Sequence, residues 1–227
     1  MDIQHEVTML KAADGHTHLV EYLGIIEDPI GPCILFELCL SNNLNSLLSN
    51  RGAITEEEET RYFCAQIATG LGHLRDRDFI HCDLRPENIL FASGMRVRIG
   101  HLGLAERFDP KRRNGSRAGV DGFRAPEIID LTPHTRTTYP TKLERALEKG
   151  ECKLKPDAKG LVRLVLDFDS KNRPQLTSLR RQKFFKLGYC PTILSEDVFQ
   201  GKPDLTTDGK LKAIPSESEQ KVYTKTK

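Results

Sequence analysis

Apolar residues recur at helical spacing in several stretches of the chain. Side chains three or four positions apart lie on one face of a helix, so this spacing indicates an amphipathic helix. In one stretch Thr55 precedes the apolar residues and Glu58 follows three positions later, which matches a capping box. The pattern predicts helices over residues 3–10, 58–74, 161–168 and 174–185.

Shorter apolar runs of strand-like composition lie between these stretches. The segment LVEYLGIIEDPIGPCILFELC contains two runs that are interrupted by DPIGP, which predicts a hairpin. The segments FIHCDL, NILFA and RVRIG predict three short strands. The polar loop between Ile80 and Ile89 therefore has rigid elements on both sides, an arrangement that holds catalytic groups in place.

The composition narrows the class of protein. A chain of 227 residues with 38% hydrophobic residues is long enough to bury one core. The 34 Lys and Arg residues against 32 Asp and Glu residues leave a formal charge of +2, so no overall field favours nucleic acid or a membrane surface. No apolar run approaches the roughly 20 residues that a membrane span requires. We therefore expect a globular protein whose partners are neither nucleic acids nor membranes.

The cysteines and histidines give no metal-binding pattern. The six cysteines form no CxxC pair and no zinc-ligand cluster, and the N-terminus lacks the pattern of a signal peptide. These features predict reduced thiols and an intracellular location, either cytoplasmic or nuclear. His16 and His18 lack a carboxylate or cysteine partner, and we interpret them as polar loop residues. Beyond Pro203 apolar residues become rare, which predicts a disordered polar tail over residues 204–227.

The loop HCDLRPENIL carries the residue types that phosphoryl transfer requires. That reaction needs a base beside the acceptor hydroxyl, a metal ligand and a cation for the developing charge. Asp83, Asn88 and Arg85 could supply these three groups in turn. The spacing DxRxxN is a weak pattern, however, and an Asx-rich turn between two strands is the alternative interpretation.

Three motifs together resemble those of eukaryotic-type Ser/Thr protein kinases. HCDLRPENIL is similar to the catalytic loop HRDLKPENIL, GHLGLA to the metal-binding GDFGLA, and GFRAPEII to the end of an activation segment. The resemblance implies an α+β protein-kinase-like fold, mainly the helical C-lobe with a remnant of the N-lobe (the helix αC and the hairpin after it). It also implies three parts: a partial N-lobe and hinge over 1–40, a C-lobe over 41–203, and the polar tail over 204–227.

The resemblance also implies roles for individual residues. Asp83 takes the place of the catalytic base, Arg85 lies on the γ-phosphate, and Asn88 is both a catalytic residue and a metal ligand. Glu127 and Arg173 correspond to a structural ion pair. The residues at the nucleotide-contacting positions are Glu6, Phe36, Glu37, Cys39 and Leu90. Within the family, the segments FELC, RYFCAQI and KFFKLGYCP look most like polo-like kinases.

Several positions depart from the family pattern. Only five residues precede Glu6, so we expect the Gly-rich phosphate loop and the nucleotide-anchoring lysine to be absent. His101, thirteen residues after Asn88, replaces the metal-binding aspartate, and imidazole is a poor ligand for magnesium. Cys82 replaces the arginine that receives an activation-loop phosphate. Ser116 therefore becomes a candidate phosphosite without its usual partner.

The large lobe also departs from the family near its centre. No segment between the APE and Arg173 motifs matches the family's helix αF, and Pro133 and Pro140 interrupt the polar residues 131–142. These departures favour an inactive protein-kinase-like protein that acts through protein partners bound on its C-lobe surface. An active Ser/Thr kinase whose N-terminal lobe is missing from this sequence, and a non-functional gene remnant, stay open. The cofactors are ATP and magnesium if the protein is active; otherwise none is required.

Overall fold

The computed structural model describes residues 2–52, 54, 57–109, 119–120, 122–129, 142–149, 154–179 and 181–186. The candidate phosphosite Ser116, the capping residue Thr55 and the predicted tail lie outside these ranges, as do residues 131–141. All structural statements below concern the described residues.

The chain begins with a helix and a hairpin, and both predictions are confirmed. Helix α1 spans Ile3–Ala13, and the Asp2 side chain caps it by accepting a hydrogen bond from the backbone N–H of Gln4. Strands β1 (Tyr22–Asp28) and β2 (Gly31–Phe36) then pair in antiparallel fashion. Within the described residues, these two strands form a sheet of their own.

The middle of the chain forms a second sheet and a long helix. Strands β3 (Leu40–Asn43), β5 (Ile89–Ala92) and β6 (Arg96–Ile99) pair in the order β3-β5-β6. Helix α3 (Glu57–Asp76) packs across β6, as its apolar spacing predicts. The predicted division between residues 40 and 41 falls inside β3, and the proposed three-part organisation stays a prediction.

Three shorter elements complete this region. Helix α2 (Leu44–Arg51) begins at Asn43, whose side chain accepts a hydrogen bond from the Ser46 backbone N–H. Strand β4 (Phe79–Ile80) pairs with β7 (Glu106–Arg107) in antiparallel fashion. Strands β4 and β5 therefore bracket the polar loop from both sides.

The core lies between α1, α3 and the three-stranded sheet. Phe91, Val97 and Ile99 are fully buried in it, and each such side chain contributes roughly 1.5–3 kcal/mol of burial free energy. Gly70 lets α3 approach closely, because a Cβ there would lie 2.9 Å from both the His18 carbonyl oxygen and Ile99 Cδ1. This contact fixes the loop after α1 against the sheet.

The C-terminal helices differ in number and position from those that the sequence predicts. Helix α4, which was not predicted, covers residues 142–148. Helix α5 spans Pro156–Val165, so it begins before the predicted start and leaves Phe168 beyond its end in a bend. The prediction of one helix from residue 174 to residue 185 was wrong, because α6 (Leu176–Leu179) and α7 (Lys183–Lys186) are separate.

A packing contact accounts for this break. The backbone N–H groups of Arg181 and Gln182 donate to carbonyls three residues earlier, which tightens the chain into turns. Arg61 of α3 donates a hydrogen bond to the Phe184 carbonyl oxygen at 2.5 Å and lies over the Phe184 ring. The buried Phe184 is thereby held against α3 in a position that requires the turn.

Candidate functional site

Hydrogen bonds within the polar loop hold Asp83. Its backbone N–H donates to His81 Nδ1 at 3.2 Å. The Asn88 amide donates to the Asp83 carbonyl oxygen at 2.7 Å and to Oδ2 at 2.9 Å. Asp83 Oδ1 is buried and has no hydrogen-bond partner among the described residues. The loop therefore leaves one buried carboxylate oxygen free to accept a hydrogen bond from a ligand or substrate group.

His81 connects this loop to the turn after β6. Its Nε2 donates to the Gly100 carbonyl oxygen at 3.0 Å, while its Nδ1 accepts from Asp83, so the ring takes the Nε2–H tautomer. Burial lowers the pKa of His81, and the Gly100 hydrogen bond and the Asp83 charge oppose that shift only in part. A neutral imidazole therefore holds the two segments together.

The backbone of the loop is shaped by turns at both ends. Cys82 has a φ of 64°, in the left-handed region, which turns the chain sharply after β4. A single 3₁₀ turn, Pro86–Asn88, leads into β5, and the Gly100 N–H donates to the Asn88 carbonyl oxygen at 2.9 Å. These bonds fix the positions of Asp83 and Asn88 relative to His101.

His101 lies between two buried carboxylates. Its Nε2 is 3.8 Å from Asp83 Oδ2 and its Nδ1 is 3.9 Å from Glu6 Oε1. Both distances exceed hydrogen-bond length. Its φ of 63° is in the left-handed region, which is uncommon for a residue with a side chain. Glu6 lies on α1 and Asp83 on the loop, so the imidazole ring fills the space where the two elements face each other.

The residues around His101 do not fit a magnesium ion. Magnesium prefers oxygen ligands in octahedral arrangement at about 2.0–2.1 Å, whereas this site presents an imidazole between its carboxylates. The Asn88 amide nitrogen donates to Asp83 Oδ2, and the Asn88 oxygen offers one neutral ligand. Within the described ranges, no cluster of three or more His, Cys, Asp or Glu residues is arranged to hold a metal ion.

Arg85 is paired within its own loop. Its Nε donates to Glu87 Oε2 at 2.9 Å, and its side chain is partly exposed. To bind a phosphate group, Arg85 must therefore either release Glu87 or donate from its other two guanidinium nitrogens.

A cavity of about 340 Å³ lies beside His101. Four of the predicted nucleotide-contacting residues line it together, namely Phe36, Glu37, Cys39 and Leu90. Glu6, the fifth, is not part of the lining. Sequence reasoning missed four lining residues: Val20, Asn42, Asn43 and Gly100. The polar pair Asn42-Asn43, directly after the hinge-like segment, is the signal that could have indicated two of them.

The described side chains that line this cavity carry little net charge, and the one carboxylate among them is paired. Glu37 Oε1 accepts from Arg98 Nε at 2.6 Å and from the Glu21 backbone N–H at 2.9 Å, which pairs its charge. None of the described lining residues is Lys or Arg. Burial, followed by the charge of Glu37, raises the pKa of Cys39 to about 11, so this thiol stays protonated near neutral pH. The cavity thus offers apolar and neutral polar groups but no cation for a polyphosphate.

Glu127 and Arg173 form the predicted pair. The guanidinium nitrogens donate to the two Glu127 oxygens at 2.9 Å and 2.7 Å, and Arg173 Nε also donates to the Asp167 carbonyl oxygen. Burial raises the pKa of Glu127 and the Arg173 hydrogen bonds lower it, with a net downward shift. The pair connects segments that are 46 residues apart.

Gly119 is a site residue that the sequence analysis missed. Its φ is 88°, and a Cβ at this position would lie 2.8 Å from the Cys82 carbonyl oxygen and 3.6 Å from Asp83 Oδ1. Arg124 donates a hydrogen bond to the Gly119 carbonyl oxygen. A side chain at Gly119 would clash with the Cys82 carbonyl oxygen, and it would lie in contact with the unpartnered Asp83 oxygen.

None of the described helices combines the length and the apolar character that crossing a membrane requires.

A family model described as protein kinase domain matches residues 1–142. That match covers more than half of the chain and includes the loop, His101 and Gly119.

Comparison with curated proteins finds serine/threonine-protein kinases. The chain is 28% identical to plk-1 of Caenorhabditis elegans over 206 residues, which cover 79% of this chain and 32% of that protein. It is 27% identical over 217 residues to PLK2 of Mus musculus and to PLK1 of Xenopus laevis. These matches cover 83% of this chain and 32% and 36% of those proteins. The chain thus spans about a third of the length of these relatives. The chain belongs to the protein kinase domain family, and within it resembles the polo-like serine/threonine kinases.

Proposed function

We propose that this protein is a catalytically inactive member of the protein kinase domain family that acts through protein partners. The observation that carries the proposal is the position of His101, whose ring lies 3.8 Å and 3.9 Å from the two buried carboxylates Asp83 and Glu6. Phosphoryl transfer requires metal ions that neutralise the charge of the transferred phosphate. An imidazole at this place supplies a nitrogen ligand in a site where magnesium requires oxygen.

The cavity beside His101 supports the same proposal. Its described lining contains no cation that would stabilise a triphosphate, and the cation predicted to contact the γ-phosphate, Arg85, is paired with Glu87. In the proposal, Phe36, Glu37, Cys39 and Leu90 form a pocket that retains the shape of a nucleotide site without its phosphate-binding groups. The proposed roles of these residues and the three-part organisation of the chain rest on the resemblance.

Nucleotide binding tests the proposal directly. A ligand that binds only the folded state raises its apparent stability, so a thermal-shift titration with ATP detects binding. We expect magnesium to leave the effect of ATP on the melting temperature unchanged. We also expect no transfer of labelled phosphate to the protein itself or to a generic protein substrate. Tight ATP binding that depends on magnesium would overturn the proposal.

The second candidate function is an active Ser/Thr kinase that uses ATP and magnesium. The observation that favours it is the ordered arrangement of His81, Asp83 and Asn88, which leaves Asp83 Oδ1 unpartnered and buried, as a base awaiting a substrate hydroxyl would be. In this case Asp83 is the base, Arg85 contacts the γ-phosphate and Asn88 binds a metal ion.

Substitution of the proposed base distinguishes the two candidates. The change Asp83→Asn keeps the size of the side chain and removes its basicity. If the protein is an active kinase, the variant loses nearly all phosphate transfer while it keeps its melting temperature. Equal, low counts from the native protein and the variant would identify those counts as background and support the inactive protein.

A further inference from the structure

The hairpin β1–β2 exposes apolar side chains on its outer face. Ile26 is opposite Cys33 in the register, and Ile26, Cys33 and Leu35 are all exposed, with 48% of Ile26 and 39% of Leu35 accessible. Ile34, on the other face, packs against the core. Ile30 at the tip is 98% exposed. Contiguous exposed apolar residues are uncommon on the surfaces of soluble proteins, and where they occur they often mark an interaction site.

Among the residues that the structure describes, no strand other than β2 pairs with β1, so the outer edge of β1 is open. Asp28 and Gly31 face each other across a two-residue loop and form a hydrogen-bonded pair, after which pairs alternate along the strands. The N–H and C=O groups of Ile25 and Glu27 on β1 therefore point away from β2. On the outer edge of β2, Pro32 supplies no N–H. Of the two edges, β1 is the better template for an added strand.

The hairpin segment itself carries only acidic charges, and the neighbouring cation Lys11 of α1 lies over the Tyr22 ring at 5.7 Å, at the start of β1 and away from the tip. Residues 19–50 contain no Lys, Arg or His, although the whole chain has 34 Lys and Arg residues. Glu21, Glu27 and Asp28 are exposed on the hairpin, and no ion pair to them is found among the described residues. An apolar surface with an acidic border attracts a partner that is apolar and basic, because complementary potentials favour encounter and correct docking.

We propose that the outer edge of β1 binds an extended segment of a partner protein in which apolar and basic residues alternate. The added strand pairs its backbone with Ile25 and Glu27. Its apolar side chains lie beside Ile26 on the outer face, and its basic side chains lie on the opposite face, where Glu27 is exposed. The inference rests on the proposed partner-binding function and locates a binding surface on the hairpin rather than on the C-terminal part of the chain.

Three synthetic peptides test the proposal with the full chain. The first alternates lysine and valine over nine residues, the second has glutamate in place of lysine, and the third carries N-methyl groups on the amides that would face β1. In fluorescence anisotropy, we expect the lysine peptide to bind at least tenfold more tightly than either of the others. Hydrogen exchange is the second readout: the lysine peptide slows exchange at Ile25 and Glu27.

Charge reversal identifies the surface. We expect Glu27→Lys to weaken binding of the lysine peptide about tenfold. The matched control Asp76→Lys makes the same charge change at an exposed position at the end of α3, and we expect it to leave binding unchanged. Higher salt weakens binding to the native chain, because the charges involved are exposed.

Three results would overturn the proposal. They are the absence of binding to a folded chain, equal binding of the lysine and glutamate peptides, and a dimer in sedimentation that Glu27→Lys dissociates. The last result would identify a second copy of the chain as the occupant. None of them bears on magnesium-dependent ATP binding, so failure of this proposal and failure of catalytic inactivity are distinguished by separate measurements.

Discussion

Two parts of the site differ in how they are held. The first, His81 with Asp83 and Asn88, is called the acceptor side here. The second, His101 with its neighbour Glu6, is called the metal side, because the family resemblance places a metal-binding aspartate at position 101. Side chains on the acceptor side meet their partners at 2.7–3.2 Å. On the metal side the contacts are 3.8–3.9 Å and none is a hydrogen bond. His81, Asp83 and Asn88 bond to one another and so stabilise the conformation of their loop. This structural role can account for these residues even in a protein without catalytic activity. The metal side has no such internal bonding, and its chemistry is determined by the residue at position 101.

The largest expected effect comes from breaking the connection between the two sides. His81→Ala removes the donor to the Gly100 carbonyl oxygen and the acceptor of the Asp83 N–H, and leaves both groups buried without a partner. We expect a loss of about 3 kcal/mol in the free energy of unfolding. Urea denaturation followed by circular dichroism measures it.

The adjacent Cys82 provides the control. Its side chain is partly exposed, and we expect Cys82→Ala to change stability by less than about 0.5 kcal/mol. If His81→Ala were as mild as Cys82→Ala, the hydrogen bonds of His81 would not connect the two segments.

The second prediction converts the metal side into a carboxylate cluster. His101→Asp places a third carboxylate beside Glu6 and Asp83, and the left-handed backbone at this position suits Asp. Without metal, repulsion between like charges should reduce stability by about 1–2 kcal/mol. Magnesium at millimolar concentration should restore the melting temperature, whereas it should have no effect on the native protein.

The variant His101→Asn separates charge from geometry. Asn tolerates the same backbone conformation but adds no carboxylate, so we expect neither the loss of stability nor a response to magnesium. A magnesium response in the native protein equal to that of His101→Asp would contradict our assignment of the metal side.

Local patterns predicted the elements around the site, and tertiary contacts determined the rest. Helix α1, the hairpin and the strands that flank the loop follow from spacing of apolar residues and turn signals. The role of His81 could not be predicted, because its partner Gly100 lies 19 residues away and its tautomer depends on that contact. The approach of Gly119 to Asp83 depends on the path of a distant segment. The break before α7 depends on Arg61, 123 residues from the Phe184 carbonyl that it binds.

A smaller effect is expected at the pair Glu127–Arg173, which connects segment 122–129 with the C-terminal helices. Arg173→Lys keeps the charge but replaces two parallel hydrogen bonds to Glu127 with a single contact. Because Glu127 is partly exposed, we expect a loss of about 1 kcal/mol in the free energy of unfolding. Denaturation at low and high salt measures it, and a stabilised variant would contradict the prediction. Arg163→Lys, at the exposed pair with Glu144, is the matched control and should change stability less.

The smallest effect concerns the attachment of α1, which carries the metal-side residue Glu6. The α1 helix ends at Ala13, whose carbonyl oxygen accepts a hydrogen bond from His73 Nε2 at 3.1 Å. The ring of His16 stacks on His73 with 4.3 Å between ring centroids, and His16 Nδ1 accepts from the His18 backbone N–H. The histidine that the sequence marked as a plain loop residue is therefore part of the contact between α1 and α3.

Lowering the pH should weaken this contact, because His16 resists protonation in the folded protein. Burial, followed by the positive charges of His73, His18, Arg77 and Arg98, lowers the pKa of His16 from 6.5 to about 4. Between pH 6.5 and 4 the unfolded chain binds the proton more readily than the folded protein, so stability falls as the pH falls through this window. Below pH 4 both states are protonated and this loss is complete.

Comparison with His16→Asn isolates this contribution, because the two proteins differ only at this residue. The ring is partly exposed, so screening by solvent limits the difference between pH 7 and pH 4.5 to about 0.5 kcal/mol. Urea midpoints at the two pH values measure it, and the native protein should lose more stability than the variant. An equal loss in both proteins would mean that His16 does not anchor α1. The metal side would then depend on the packing of Val7 and Leu10 for its position, as the acceptor side depends on hydrogen bonds.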